Sequence, residues 1–145
     1  MGVKPRIIGL DVGDRRIGVA ISDPLGMIAA GLDVVERTNL RQDVYTINDM
    51  AKRHGATAIV VGLPLQLDGS TGEQAQKVQA FCRRLTAASG LPVIYEDERL
   101  TTVSAIRTLT VQGVKTGHNK GLVDRQSAAI ILQKHLDRHD PPPSA

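Results

Sequence analysis

Tryptophan is missing from this chain of 145 residues, and the other aromatics are two tyrosines and one phenylalanine. So sparse a set argues against the aromatic platforms on which RNA-recognition sheets and single-strand binders stack bases. No run of about 18 apolar residues occurs, so no transmembrane helix and no membrane partner are expected. No uninterrupted apolar segment precedes Asp11, so no signal peptide is expected either. Cys82 is the only cysteine. It cannot form an internal disulfide, no Cys/His zinc spacing exists, and its apolar surroundings mark a buried structural thiol. The expected compartment is the cytoplasm. Neither sign of charge dominates: the net charge of +3 permits a polyanionic partner without demanding one.

What is present centres on Gly9-Leu10-Asp11-Val12-Gly13-Asp14-Arg15-Arg16-Ile17-Gly18-Val19-Ala20. Two β-rich runs joined by Gly/Asp turn residues read as a hairpin. Alternation puts Ile7, Gly9 and Asp11 on one face of the first strand and Ile8 and Leu10 on the other. An acid in a core strand is costly unless it is paired, solvated or bound to a metal. Two readings of Asp11 stand level at this point, a turn cap and a ligand. Gly9 either makes room beside Asp11 or lets another backbone pack closely.

Strands are predicted at about Arg6 to Asp11, Arg16 to Ser22 and Ile28 to Glu36, an antiparallel meander. Thr38-Asn39 starts a helix with Leu40, Val44, Ile47 and Ala51 on one face, ended by Gly55. Ala58 to Gly62 reads as a buried central strand. A loop from Leu63 to Gly72 leads into a helix carrying Ala75, Val78, Phe81, Cys82 and Leu85, and Ser89-Gly90 stops it. Pro92 to Glu96 is the fifth strand, with Tyr95 in the core. A short helix with Val103, Ile106 and Leu109 follows. Residues 113–121 read as a mobile basic loop, the last helix begins near Asp124, and Pro141 onward is a frayed tail. The order implies an α/β protein with a mixed five-stranded sheet and helices on both faces.

Three acidic positions then matter: Asp11, the pair Asp97-Glu98 past the fifth strand, and Asp124. Asp124 precedes Ala128, Ile131 and Leu132 by four, seven and eight residues, so it shares their stripe. If strands one and five are neighbours, all three meet at the carboxyl ends of the strands. Clustered carboxylates repel unless protons or cations intervene, and oxygen-only ligands favour Mg²⁺ or Mn²⁺. Each acid also has an ordinary role: Asp11 as a turn cap, Asp97 or Glu98 paired with Arg99, Asp124 as a helix N-cap. Lys115, Lys120 and Arg125 surround Asp124 and can clamp a phosphate backbone, as can Arg99.

Gly9 to Gly13 with Arg16 to Ala20, Val61-Gly62-Leu63-Pro64 with Asp68-Gly69, Asp97-Glu98-Arg99-Leu100-Thr101-Thr102, and Lys120-Gly121 with Asp124 and Ala128 to Gln133 together resemble the YqgF (RuvX) family. The blocks run in order along nearly the whole chain, and Asp-Glu-Arg-Leu-Thr-Thr is the most specific. The resemblance implies an RNase H-like nuclease domain over residues 1–138, related to RuvC resolvases, with 139–145 a disordered tail. It implies metal-dependent chemistry, and members are described both as Holliday junction resolvases and as nucleases that mature the 5′ end of pre-16S rRNA. The family's carboxylates fall on Asp11, on the Asp97-Glu98 block and on Asp124. Glu98 is preferred as the second catalytic and metal-binding acid, with Asp97 the alternative.

The leading expectation is therefore a Mg²⁺- or Mn²⁺-dependent nuclease acting on pre-16S rRNA, with the ribosomal small subunit as a further partner. The same chemistry on four-way DNA junctions is the alternative, and a dimer with two sites, rather than a monomer, would favour it. An ATP-binding module of the actin-like kind would need two such domains. A non-catalytic RNA-binding protein of ribosome assembly would use the acids structurally.

Overall fold

The structure, a computed structural model, describes residues 4–99 and 120–139, with side chains for all of these except 120–123 and 139. β1 (Arg6–Val12) and β2 (Arg16–Ser22) form the expected hairpin, with Ile8 opposite Ile21 and Asp11 opposite Gly18. β3 (Ala29–Glu36) pairs antiparallel with β2. The turn before it is tied by the Asp23 carboxylate, which accepts the backbone N–H groups of Met27 and Ile28 at 2.7 and 3.0 Å. β4 (Ala56–Leu63) runs parallel to β1, and β5 (Val93–Asp97) parallel to β4.

The strand order is β3-β2-β1-β4-β5. Strands one and five are thus not neighbours, so the acids do not meet by direct contact of those two strands. The meander occupies one side of β1, β4 takes its other side, and β5 finds a free edge only on β4.

Three helices occur among the described residues: α1 (Leu40–Arg53), α2 (Glu73–Ser89) and α3 (Lys120–His139). Asn39 caps α1 by accepting the Gln42 N–H at 2.8 Å, and Lys52 and Arg53 fill its last turn, where cations meet the negative end of the helix dipole. Gly90 ends α2 in the left-handed region, at a φ of 71°, which other residues adopt only with strain. α3 starts four residues before the position expected. Asp124 therefore lies one turn inside the helix and is not its N-cap, and Lys120-Gly121 belong to the helix rather than to a loop. Packing of the apolar stripe outweighs the poor helix propensity of Gly121. The rest of the predicted basic loop, the short helix with Val103, Ile106 and Leu109, and the tail from Pro141 lie outside the described residues.

Strand alternation divides the core in two. Ile8, Leu10, Ile17, Val19, Ile59 and Val61 face α1 and α2, where they pack with Ile47, Phe81 and Leu85. On the other face Ala20 and Val60 pack beneath Ala128, Ile131, Leu132 and Leu136 of α3. Cys82 is buried in the first layer, and burial pushes its thiol up to about 11. Tyr95, expected in the core, is 37% exposed because β5 is an edge strand covered on one side only. No described helix is long and apolar enough to cross a membrane.

Candidate active site

The α3 face of the sheet carries the acids. On β1 alternation aims Gly9 and Asp11 at α3. A Cβ on Gly9 would stand 2.7 Å from the Leu132 Cβ, so Gly9 serves close helix packing rather than opening space beside Asp11. Leu10 pairs with Val61 in the parallel β1–β4 ladder, and one residue further on that register sets Asp11 beside Gly62. Gly62 in turn pairs with Glu96 of β5. The Glu98 N–H donates to the Leu63 carbonyl at 3.1 Å, which extends the β4–β5 ladder past the last strand residue. Glu98 thus keeps the strand alternation and points to the same face as Glu96.

The Glu98 carboxyl folds back over β4. Its Oε1 lies 2.7 Å from where a Gly62 Cβ would be. Adjacent strands are about 4.8 Å apart, so this carboxyl sits roughly one strand spacing from Asp11. The missing side chain at Gly62 closes the gap that the strand order leaves between β1 and β5. Both acids are buried, Asp11 at 8% and Glu98 at 4% exposure. In the sequence Gly62 was legible as part of a buried strand and of the Val61-Gly62-Leu63-Pro64 block, and neither showed that its missing side chain makes room for Glu98.

Asp124 arrives from α3. Its backbone carbonyl packs so tightly on Gly18, the residue opposite Asp11, that any Cβ there would overlap it. Its carboxylate, however, accepts a hydrogen bond from Arg16 Nε at 2.6 Å. That bond raises the pKa of the Arg16 guanidinium. Sequence reasoning did not single out Arg16. Among the described residues no three His, Cys, Asp or Glu side chains are close enough together to hold one ion. The Glu98 carboxyl lies over Gly62, the β4 residue level with Asp11, and Asp124 is turned to Arg16.

Three successive acids at the end of β5 take three different surroundings. Glu96, 1% exposed, pairs with Arg138 and lies 3.5 Å from His135 Nδ1, an internal cluster under α3 that the sequence did not reveal. Asp97 alternates to the opposite side and is held by Arg99 at 2.7–2.8 Å. This contact, reinforced by Arg99 N–H, holds its carboxyl below the usual carboxylate range. Glu98 folds over Gly62, level with Asp11. Lys134 Nζ donates to the Asp97 carbonyl at 2.9 Å and fixes the strand end to α3.

Of the predicted nucleic-acid contacts, Arg99 packs against Gly69 in the loop after β4 while bound to Asp97. Arg125 is exposed, its stem lying on Gly31 of β3. The side chain of Lys120 and all of Lys115 lie outside the described residues. The Asp11–Glu98 pair fits a divalent cation: its donors are all oxygen, and two buried carboxylates at this spacing repel each other unless a cation or proton lies with them.

The model of the RuvX family, described as Holliday junction resolvase, matches residues 5–138. The chain belongs to the RuvX family. A relative from Moorella thermoacetica is 47% identical over 133 residues, covering 92% of this chain and 95% of that protein. One from Synechococcus is 49% identical over 130 residues, covering 90% and 76%. Both are named "Putative pre-16S rRNA nuclease". Among solved structures, Thermus thermophilus RuvC in complex with Holliday junction substrate matches with a TM-score of 0.60 at 14% identity, covering 94% of this chain and 96% of that one. The fowlpox virus resolvase with junction DNA matches with a TM-score of 0.57 at 12% identity, over 93% and 99%. The sheet described above is therefore the RNase H-like fold of these resolvases. RuvX membership makes the chain a hydrolytic nuclease, and resolvase nucleases of this fold depend on divalent metal.

Proposed function

We propose that this RuvX-family nuclease hydrolyses phosphodiester bonds at the 5′ end of pre-16S rRNA, in the cytoplasm, during ribosome biogenesis. The observation that carries the reading is the buried Glu98 carboxyl lying over side-chain-free Gly62, one strand across from buried Asp11. These two, with Asp124 once it leaves Arg16, are the residues that hold Mg²⁺ or Mn²⁺. Such cations activate water and stabilise the leaving oxygen of an in-line displacement. The chain's own part is to fix the carboxylates on rigid strands before substrate arrives. Asp97 is not a ligand in this reading, because strand alternation turns it to the side opposite Glu98, where Arg99 holds it. Arg99, Arg125, Lys115 and Lys120 contact the RNA backbone, and the small subunit is the setting in which that RNA is met.

Cleavage of a pre-16S 5′ leader with Mg²⁺ or Mn²⁺ tests the proposal. Asp11→Asn should lower the rate by about 10²–10³-fold, the scale of losing a preorganised charged group. Equal rates for both proteins, well above background, would sink it. The family's description favours a second reading, resolution of Holliday junctions. That reading requires symmetric cuts in a four-way junction by a homodimer, and a monomer that cleaves the RNA leader but not the junction excludes it.

A further inference from the structure

α1 and α2 leave a groove of about 420 Å³ on the face of the molecule away from α3. Val44, Ala87 and Ala88 make its apolar wall, and Arg41, Tyr45 and Arg84 stand around it. Tyr45 is 65% exposed, the most exposed aromatic among the described residues. Together with Arg41 it also borders a second hollow of about 460 Å³ at the start of α1. Tyr45 thus lines both hollows. Asn48 lines the groove, and its Oδ1 is buried without a hydrogen-bond partner among the described residues. A buried acceptor left unmatched is destabilising, and a ligand donor would satisfy it.

Charge selects the ligand. Arg41 and Arg84 form no ion pair among the described residues, and no acid lines the groove. The nearest acid one turn along from Tyr45 is Asp49, which Arg53 neutralises at 2.9 Å. An exposed ring, two uncommitted guanidinium groups and a buried acceptor match a base, its phosphates and a base amino or ribose hydroxyl group. Position agrees with this. Glu36 at the end of β3 pairs with Arg16, and Arg37 Nη1 donates to the Gly13 carbonyl at 2.9 Å. α1 therefore starts at the end of the sheet to which β1 delivers Asp11.

We propose that the α1–α2 groove binds an unpaired nucleotide of the RNA substrate. Its base stacks on Tyr45, Asn48 Oδ1 accepts a hydrogen bond from it, and Arg41 and Arg84 hold the flanking phosphates. A single ring suffices because every base offers a π face, so the contact tolerates any sequence but demands a single strand. The assignment rests on the reading of the substrate as pre-16S RNA.

Fluorescence anisotropy of a labelled single-stranded RNA of the pre-16S 5′ leader, titrated with the full chain without divalent cation, tests it. Tyr45→Ala should weaken binding about tenfold or more, and Tyr45→Phe should retain it. Arg41→Gln combined with Arg84→Gln should flatten the slope of log affinity against log salt by about 1.4, the value for two phosphate contacts on a single strand. Tyr45 is at the surface, so thermal unfolding of the variants will show them folded. Wild-type affinity in Tyr45→Ala, or an unchanged salt slope in the arginine pair, overturns the proposal. If the leader is cleaved normally while Tyr45→Ala binds like wild type, the groove assignment fails and the nuclease reading stands. If the groove variants lose affinity while Asp11→Asn cleaves like wild type, the groove stands and the catalytic reading fails.

Discussion

The two faces of one sheet differ in what fills the space above them. Toward α1 and α2, β1 and β4 present Ile8, Leu10, Ile59 and Val61, and the gap to the helices is filled with hydrocarbon. Toward α3 the same strands present Gly9, Asp11, Val60 and Gly62. Small residues there let the α3 backbone descend until the Asp124 carbonyl touches Gly18 and Leu132 touches Gly9. The first face has stability as its main product. The second gives up apolar burial to hold buried carboxylates in fixed places, as a preorganised site requires.

Substitutions on either side should expose this division. The largest effect belongs to Gly18→Ala, whose Cβ would overlap the Asp124 backbone, an obstacle no side-chain rotation can clear. It should cost about 3 kcal/mol or more and lose activity even in molecules that remain folded, because α3 must lift and take Asp124 with it. Leu10→Ala on the opposite face should cost about 2–5 kcal/mol by chemical denaturation, yet keep its activity per folded molecule. Comparable losses of specific activity in the two would erase the distinction between the faces.

Gly62→Ala comes next. Its Cβ would press on the Ile131 Cδ1 and Glu98 Oε1 atoms, the ends of flexible side chains, so about 1–3 kcal/mol is expected in unfolding experiments. Divalent-metal binding by calorimetry should fall more sharply than stability, since the displaced group is the Glu98 carboxyl. Arg16→Gln acts in the other direction. It releases Asp124, and metal affinity should rise by about tenfold, the worth of one charged hydrogen bond.

The smallest effect is that of Asp97→Asn. Arg99 depresses the Asp97 pKa, so the pair's contribution is present above the ordinary carboxylate range and lost as pH falls through the lowered value. Melting curves of wild type and variant should differ slightly at neutral pH and converge in acid. Cleavage at neutral pH should persist, and its loss would return Asp97 to the candidate ligands.

Much of this was readable in the chain. The hairpin, the caps at Asn39 and Gly90 and the stripe from Asp124 to Leu132 are local signals, because turn chemistry and helical or strand periodicity act over a few residues. The start of α3 and the exposure of Tyr95 were misjudged, since both depend on what packs alongside. The two readings of Gly9 were separable only once α3 was seen resting on it.

The sequence by itself determined which acids were available, the order of elements and the face on which Asp11 and Asp124 lie, since alternation and the 3.6-residue period are properties of the backbone. Tertiary structure alone decided the partners. The insertion of β4 between β1 and β5 made Gly62 the bridge from Glu98 to Asp11. Packing of α3 on Gly18 set Asp124 within reach of Arg16, 108 residues away in the chain. Contacts over such separations follow from strand order and helix docking, which no local pattern encodes.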